Sequence, residues 1–190
     1  MFSRRTLPVW IGILALSGMF LMGQTAECPW NTVAVSFPDD ALEVAIRLAI
    51  GNPSGPICSS ALEGLTYLDA SDSGIADLTG LEYCTGLDQL FLDGDQISDL
   101  SPLQGLVGMR AINLSGNQIS DLNPLTGLIY LYGLDLSANQ ITDIYPLVDN
   151  YGIGPGDFID LTNNPLDDTS CTVYIPELQS KGVNVLHDCP

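Results

Sequence analysis

Residues 109–130 read MRAINLSGNQISDLNPLTGLIY, and this stretch decides the fold because related copies of it lie on both sides at a constant spacing. Aligned on Leu-x-x-Leu, the copies follow a strict period of 22 residues and begin at Leu65, Leu87, Met109 and Leu131. A fifth copy begins at Gly156, so the fourth is 25 residues long and carries its extra length around residues 149–155. Such self-similarity indicates stacked repeats, none of which can bury its apolar face alone.

Each apolar column of the repeat has a structural role. The first, fourth and sixth positions alternate with polar ones, as expected for a strand with one buried face. The eleventh position holds an isoleucine in the four complete copies: Ile75, Ile97, Ile119 and Ile141. The pattern predicts five parallel strands, one per repeat and about 4.8 Å apart, with a sixth strand allowed in either cap.

Two polar columns are expected to serve the backbone where the chain turns. Asn117, Asn139 and Asn164 stand at the ninth position, where a buried amide can bond peptide groups, whereas Ser73 and Asp95 replace it in repeats one and two. The thirteenth position suits a side chain that caps a short helical turn, and it is always aspartate: Asp77, Asp99, Asp121 and Asp143. The remaining length is too short for a long helix, so short 3₁₀-like turns are expected on the convex side.

The ends of a solenoid need caps because the terminal repeats would otherwise expose their core. A helix is expected over residues 38–51, starting at a capping box formed by Asp40 and Glu43 and ending at Gly51. Residues 169–181 are expected to form a second helix, interrupted near Pro176, and residues 183–186 a last strand. The predicted division of the chain is signal peptide 1–26, N-terminal cap 27–64, five repeats over 65–166 (65–86, 87–108, 109–130, 131–155 and 156–166 onward) and C-terminal cap 167–190.

The N-terminal segment has the features of an export signal. Arg4 and Arg5 are followed by fifteen residues, 9–23, that are apolar except for Ser17. This run is shorter than the ~20 residues that span a bilayer, so we expect removal of the signal and no stable membrane insertion afterwards. Gln24 is large for a cleavage site, and Glu27 before Cys28 argues against lipidation. We therefore expect the protein to be secreted or to lie in the cell envelope or periplasm.

Five cysteines in an exported chain predict disulfides and at least one unpaired thiol. We expect a disulfide between Cys28 and Cys58 to cross-link the N-terminal cap. A second disulfide, between Cys171 and Cys189, would cross-link the C-terminal cap. Cys84 replaces a core leucine of the later repeats, so it is expected to be a buried free thiol.

The composition is strongly acidic. The chain carries 23 Asp plus Glu and 5 Lys plus Arg, for a net charge of −18, and two of the basic residues lie in the expected signal. Such a surface repels nucleic acid and anionic membranes, and it favours basic partners or divalent cations. The simpler explanation of the acidic composition is that it keeps the protein soluble. We expect no nucleic-acid partner and a monomer.

The repeats resemble a known family. The pattern Asn-x-Ile-x-Asp-Leu-x-Pro-Leu at 22 residues resembles the internalin-type leucine-rich repeats of secreted bacterial proteins. FPDDALEVAIRLAIG (37–51) resembles their helical N-terminal cap, GLEYCTGLDQL (80–90) their first repeat, and PLVDNYGIGPGDFIDLTNNPL (146–166) with VYIPELQSKGVNV (173–185) their last repeats and C-terminal cap. The resemblance covers about residues 35–187. It implies an α/β, right-handed leucine-rich repeat solenoid with a parallel sheet on the concave face, a ligand on that face and no enzymatic activity.

Outward strand positions are the candidate binding residues. They combine aromatic rings and carboxylates, which are common in recognition surfaces, and the set is Tyr67, Asp69, Gln89, Phe91, Asp93, Asn113, Asp135, Phe158 and Asp160. The alternative is that the caps cover Tyr67 and Phe158 and that Phe91 is incidental.

No constellation of residues predicts catalysis. His187 is the only histidine and has no matched nucleophile, so no catalytic residue and no cofactor is expected. Asp69, Asp72, Asp93 and Asp95 fall on adjacent strands, but they lack the spacing of a calcium loop, and no metal site is expected. The sequence favours a binding module for a protein or glycan; the alternative is a structural or spacer envelope protein without its own ligand.

Overall fold

The computed structural model describes residues 27–190, so the expected signal lies outside the described residues. The strands are β1 Ala34–Val35, β2 Ile57–Cys58, β3 Tyr67–Asp69, β4 Gln89–Phe91, β5 Ala111–Asn113, β6 Gly133–Asp135, β7 Phe158–Asp160 and β8 Asn184–Leu186. The helices are α1 Asp40–Ile50, α2 Ser59–Leu62, α3 Tyr145–Asp149 and α4 Ile175–Ser180. Shorter turns are 3₁₀-helical at Leu81–Tyr83, Ser101–Leu103 and Asn123–Leu125, and π-helical at Ser170–Tyr174.

The repeats stack into one parallel sheet with the strand order β3-β4-β5-β6-β7-β8. Each strand pairs with the equivalent residues of the next repeat, as in Tyr67 with Gln89 and Gln89 with Ala111. The prediction of one parallel strand per repeat is confirmed, and the sixth strand, β8, comes from the C-terminal cap. The strands β1 and β2 form a separate antiparallel pair in the N-terminal cap.

The core lies behind the sheet and continues through every repeat. The middle residue of each strand points into it and is buried: Leu68, Leu90, Ile112, Leu134, Ile159 and Val185. The isoleucines of the eleventh column, from Ile75 to Ile141, are completely buried. The free thiol of Cys84 is buried in the same core, as its position in the repeat predicts.

Asparagines of the ninth column join successive repeats. Asn117 accepts a hydrogen bond from the backbone N–H of Ile97 at 2.9 Å and donates to the carbonyls of Leu92 and Leu114 at 2.8 and 3.1 Å. Asn139 repeats the arrangement one repeat later. These bonds satisfy backbone groups that the stacking removes from water.

The convex side consists of short turns, with one exception. The aspartates of the thirteenth column each accept a hydrogen bond from the backbone N–H two residues later, at 2.8–2.9 Å. Three repeats then form 3₁₀ turns, but the longer fourth repeat forms the α-helical turn α3. Its Asn150 is fully buried and donates to the carbonyls of Leu125 and Leu128, a link between repeats that the sequence pattern did not reveal.

The N-terminal cap corrects one expectation. The capping residue of α1 is Asp39 rather than Asp40, because the carboxylate of Asp39 accepts the N–H groups of Ala41 and Leu42 while Asp40 is already helical. The helix ends where expected, with Gly51 in the left-handed region at φ 67°.

The C-terminal cap follows the predicted order of helix and strand. Pro176 lies in the first turn of α4, where no N–H is needed for the helix, and the π-helical turn precedes it. Disulfides join Cys28 to Cys58 and Cys171 to Cys189, one in each cap. Among residues 27–190, no helix is both long enough and apolar enough to cross a bilayer.

Candidate concave binding surface

The concave face carries the side chains that point away from the core on β3 to β7. Eight of the nine candidate residues lie on these strands: Tyr67, Asp69, Gln89, Phe91, Asn113, Asp135, Phe158 and Asp160. The ninth, Asp93, lies in the turn two residues after β4. Tyr67 is 50% exposed and Phe158 42% exposed, so the caps do not cover them. Phe91 is half-buried.

Two aromatic rings meet at the N-terminal end of this face. The ring centroids of Tyr67 and Phe91 are 5.6 Å apart and the planes are inclined by 46°, a favourable tilted geometry. The contact is diagonal, since Tyr67 pairs with Gln89 and Phe91 pairs with Asp69 in the parallel register. Partial desolvation and the charge of Asp69 raise the pKa of the Tyr67 hydroxyl, which donates a hydrogen bond to that carboxylate.

Carboxylates and hydroxyls form a hydrogen-bonded row beside the rings. The hydroxyl of Ser71 lies 2.7 Å from Oδ1 of Asp93 and 3.0 Å from Oδ1 of Asp69. The amide of Asn113 donates to the same oxygen of Asp93 at 2.9 Å. The row therefore links three neighbouring repeats and holds its two charges in fixed positions.

In the later repeats, hydrogen bonds from the residue two positions further along the chain fix the carboxylates. Asp135 accepts the backbone N–H and the hydroxyl of Ser137, the latter at 2.7 Å. Asp160 accepts both groups of Thr162 in the same way. Because these carboxylates are held in place, a ligand would bind them with little further loss of side-chain entropy.

A trough lies between Phe91 and Phe158. Its volume is about 230 Å³, and Ala111 and Gly133 form its floor. The two small residues stand side by side in the register of β5 and β6. Neither residue is among the candidates predicted from the sequence, although two adjacent small residues at the third position of the repeat are the signal of this depression.

The histidine singled out in the sequence, His187, makes a local contact. The ring nitrogen Nδ1 of His187 accepts the backbone N–H of Cys189 at 3.2 Å, which is a local structural bond. Within residues 27–190, no three histidine, cysteine, aspartate or glutamate side chains are grouped closely enough to hold a metal ion.

Comparison with known proteins supports the fold. No protein-family model matches the chain, and no curated protein matches it. Among solved structures, an internalin of Listeria monocytogenes, InlF, is 21% identical over 79% of this chain and 56% of its own, with a TM-score of 0.44. Internalin C2 of the same organism is 21% identical over 86% of this chain and 100% of its own, with a TM-score of 0.41.

A third solved structure is closer in geometry. A leucine-rich repeat protein of Leptospira interrogans is 22% identical over 58% of this chain and 28% of its own, with a TM-score of 0.51. The chain thus spans about half of InlF and under a third of the Leptospira protein. The likeness concerns the fold, and it agrees with the 22-residue register of the parallel sheet. By its fold, therefore, the chain is a leucine-rich repeat protein.

Proposed function

We propose that the protein is a non-enzymatic binding module that recognises a protein or a glycan on its concave face. The observation that carries the proposal is the trough between Phe91 and Phe158, with Ala111 and Gly133 as its floor. A solenoid needs large side chains inside but not on the concave side, so two partly exposed rings around a depression have no role in the core.

The chemistry of the trough favours a ligand with one apolar surface and nearby donors. An aliphatic side chain or the face of a sugar ring can fill the space over Ala111 and Gly133 against the two phenyl rings. Asp135 lines the same depression and can accept a hydrogen bond from a hydroxyl or an ammonium group. The supporting sheet is rigid because every strand is paired, which lowers the entropic cost of binding.

The cap disulfides favour a location outside the cytoplasm. Stable disulfides belong to oxidising compartments, and each cap has one. We propose that the protein acts in the envelope or outside the cell, as a monomer with one concave face.

A paired capture experiment tests the proposal. The protein and its Phe91→Ser/Phe158→Ser variant are used as baits on a glycan array and on protein extracts, with Tyr151→Ser as a matched control because Tyr151 is exposed but does not line the trough. A ligand that is retained by the protein and the control but lost by the double variant supports the proposal. Equal retention by all three contradicts it and favours a scaffold without a ligand on this face.

A further inference from the structure

A second apolar depression lies outside the concave trough, between the cap helix and the first strand of the sheet. The groove has a volume of about 450 Å³. One wall is formed by side chains of α1, including Val44 and Leu48. The other wall is formed by β3, including Tyr67 and Asp69, and by the residues that follow this strand. Among the described residues it is larger than the trough.

The helix that forms this wall is apolar on both of its faces. Leu42 and Ile46 are fully buried against the first repeat. On the other side, Leu48 is 78% exposed and Val44 is 58% exposed. A helix that only covers the end of a solenoid needs polar residues on its outer face, so the exposed leucine and valine are not explained by capping.

The groove continues into the aromatic pair. Tyr67 lines the groove, and its ring contacts Phe91, which lines the trough. A further depression of about 310 Å³ lies on the outer side of Val44 and Leu48, toward Pro53. The apolar surface is therefore continuous from the outer face of the cap to the middle of the sheet, as larger interaction surfaces are.

Charge decides which occupant fits. The chain carries a net charge of −18, so a second copy would bring like charge against like charge. Asp69 lines the groove, and Asp93 is linked to it through Ser71. The nearby cation, Arg47, is already held by Glu43 at 2.8 Å. The rim is thus complementary to lysine or arginine.

We infer that the groove between α1 and β3 binds an amphipathic, cationic segment of another protein. An aliphatic or aromatic side chain of the segment lies between Leu48 and Tyr67, and a lysine or arginine reaches Asp69. The inference goes beyond the proposed function, because it names a surface outside the trough and the chemistry of its occupant.

The test uses a short synthetic peptide of leucine and lysine in amphipathic order, with a fluorescent label, and measures its dissociation constant by anisotropy. Val44→Gln/Leu48→Gln removes the apolar wall, and Val107→Gln is the matched control because Val107 is 53% exposed and lines neither depression. The groove variant should bind the peptide about tenfold more weakly, as the loss of a buried side chain of this size implies. The control should bind it unchanged.

Two further peptides check the chemistry of the occupant. The peptide with glutamate in place of lysine and the peptide with serine in place of leucine should both bind at least tenfold more weakly than the original. Phe158→Ser, which alters only the trough, should leave the affinity for the leucine–lysine peptide unchanged, so failure of the trough proposal remains distinguishable from failure of this one.

Three results would overturn the inference. Equal affinity of the groove variant and the control would mean that the acidic surface attracts the peptide without a site. Equal binding of the glutamate peptide would remove the charge argument. Sedimentation of the unmodified protein as a dimer that Val44→Gln/Leu48→Gln dissociates would assign the groove to a second copy of the chain.

Discussion

Asp95 stands in repeat two at the position that Asn117 occupies in repeat three, and the two side chains differ in one group. Oδ1 of Asp95 accepts the N–H groups of Ser73, Gly74 and Ile75 at 2.8–3.1 Å. Its other oxygen is buried and has no hydrogen-bond partner among residues 27–190, whereas the corresponding Nδ2 of Asn117 donates to carbonyls.

Asp95→Asn should therefore stabilise the protein at neutral pH. The amide supplies the missing donor and removes a buried charge, and correcting an unsatisfied buried group is worth ~1–3 kcal/mol. Urea unfolding at pH 7 measures the change. Asn117→Asp is the reciprocal control and should destabilise by a similar amount. A loss of stability in Asp95→Asn would contradict the interpretation that the unpaired buried oxygen of Asp95 is unfavourable.

The pH dependence of stability should change with the same substitution. Burial raises the pKa of Asp95, and the charge of Asp72 raises it further. The three hydrogen bonds from backbone N–H groups lower the pKa, but burial outweighs them. The folded state then binds a proton before the unfolded state does, so the contribution of Asp95 to the unfolding free energy falls as pH rises through the folded pKa. Unfolding free energies across the acidic range should show this component in the unmodified protein and not in Asp95→Asn.

Asp39 should be important for the stability of the N-terminal cap. One oxygen caps α1, and the other accepts the N–H groups of Ala76 and Asp77 in repeat one at 2.8 and 3.2 Å. Asp39→Ala should cost at least ~1–2 kcal/mol, the usual range for a lost helix cap. Asp40→Ala is the matched control and should cost less in a urea melt, and the reverse order would restore Asp40 as the cap.

The contribution of Asp39 should disappear in acid. Burial opposes ionisation of Asp39, but the hydrogen bonds from Ala76, Leu42, Asp77 and Ala41 outweigh it and lower the pKa from 3.8. The stabilisation is complete above that ordinary value and is lost as pH falls through the folded pKa. The difference between the protein and Asp39→Ala should therefore be largest at neutral pH and shrink below pH 3.8.

Truncation of the central core should be costly. Leu114 and Ile119 are completely buried in repeat three, with a repeat on each side. Leu114→Ala or Ile119→Ala should lower the unfolding free energy by ~2–5 kcal/mol. Leu48→Ala on the exposed side of α1 is the control for the same change in chemistry and should have a small effect. Similar melts for Leu114→Ala and Leu48→Ala would contradict the register of the repeats.

Cys84 should be unreactive until the protein unfolds. Burial, with the charge of Glu82, raises the pKa of this thiol to about 12. Iodoacetamide at pH 8 should leave it unmodified in the native protein and alkylate it alone in urea without reductant. Peptide mapping should recover the pairs Cys28–Cys58 and Cys171–Cys189, each contributing ~2–4 kcal/mol; alkylation of any other cysteine in urea would contradict this pairing.

Phe91→Ala should affect binding more than folding. Its ring lines the trough and contacts Tyr67 on the surface, so the melting temperature should fall little while affinity for a ligand recovered by capture falls clearly. Asp93→Asn should mainly slow association and reduce its salt dependence. A large fall in melting temperature for Phe91→Ala with unchanged affinity would assign the ring to the support of the cap instead.

The sequence predicts the fold well because the same physical demand recurs in every repeat. Leu68, Leu90 and Leu134 are buried between outward-facing neighbours and lie at multiples of 22 residues, so the periodicity alone predicts the parallel register that the structure shows. The two cap disulfides and the buried Cys84 also follow from position along the chain.

Features that occur once are harder to predict. Asn150 bonds two carbonyls of the preceding repeat, but the other complete copies carry a leucine or a cysteine at this twentieth position, so the repeat pattern does not predict an amide there. Asp39 contacts Ala76, which is 37 residues away, and only the packing of the cap brings the two together. The groove beside α1 likewise depends on how the helix lies against β3, which no periodic pattern encodes.

The order of the strands has a consequence for biosynthesis. Every strand of the large sheet pairs with the one made just before it, with no crossover between distant repeats. Both cysteines of the first cap, Cys28 and Cys58, precede β3 in the chain, so their disulfide does not depend on any repeat. The chain can therefore fold progressively from its N-terminus as it emerges, each new repeat using the preceding one as a template. A truncated chain that contains the first cap and several repeats is therefore expected to fold, with its unfinished core exposed at the C-terminal end.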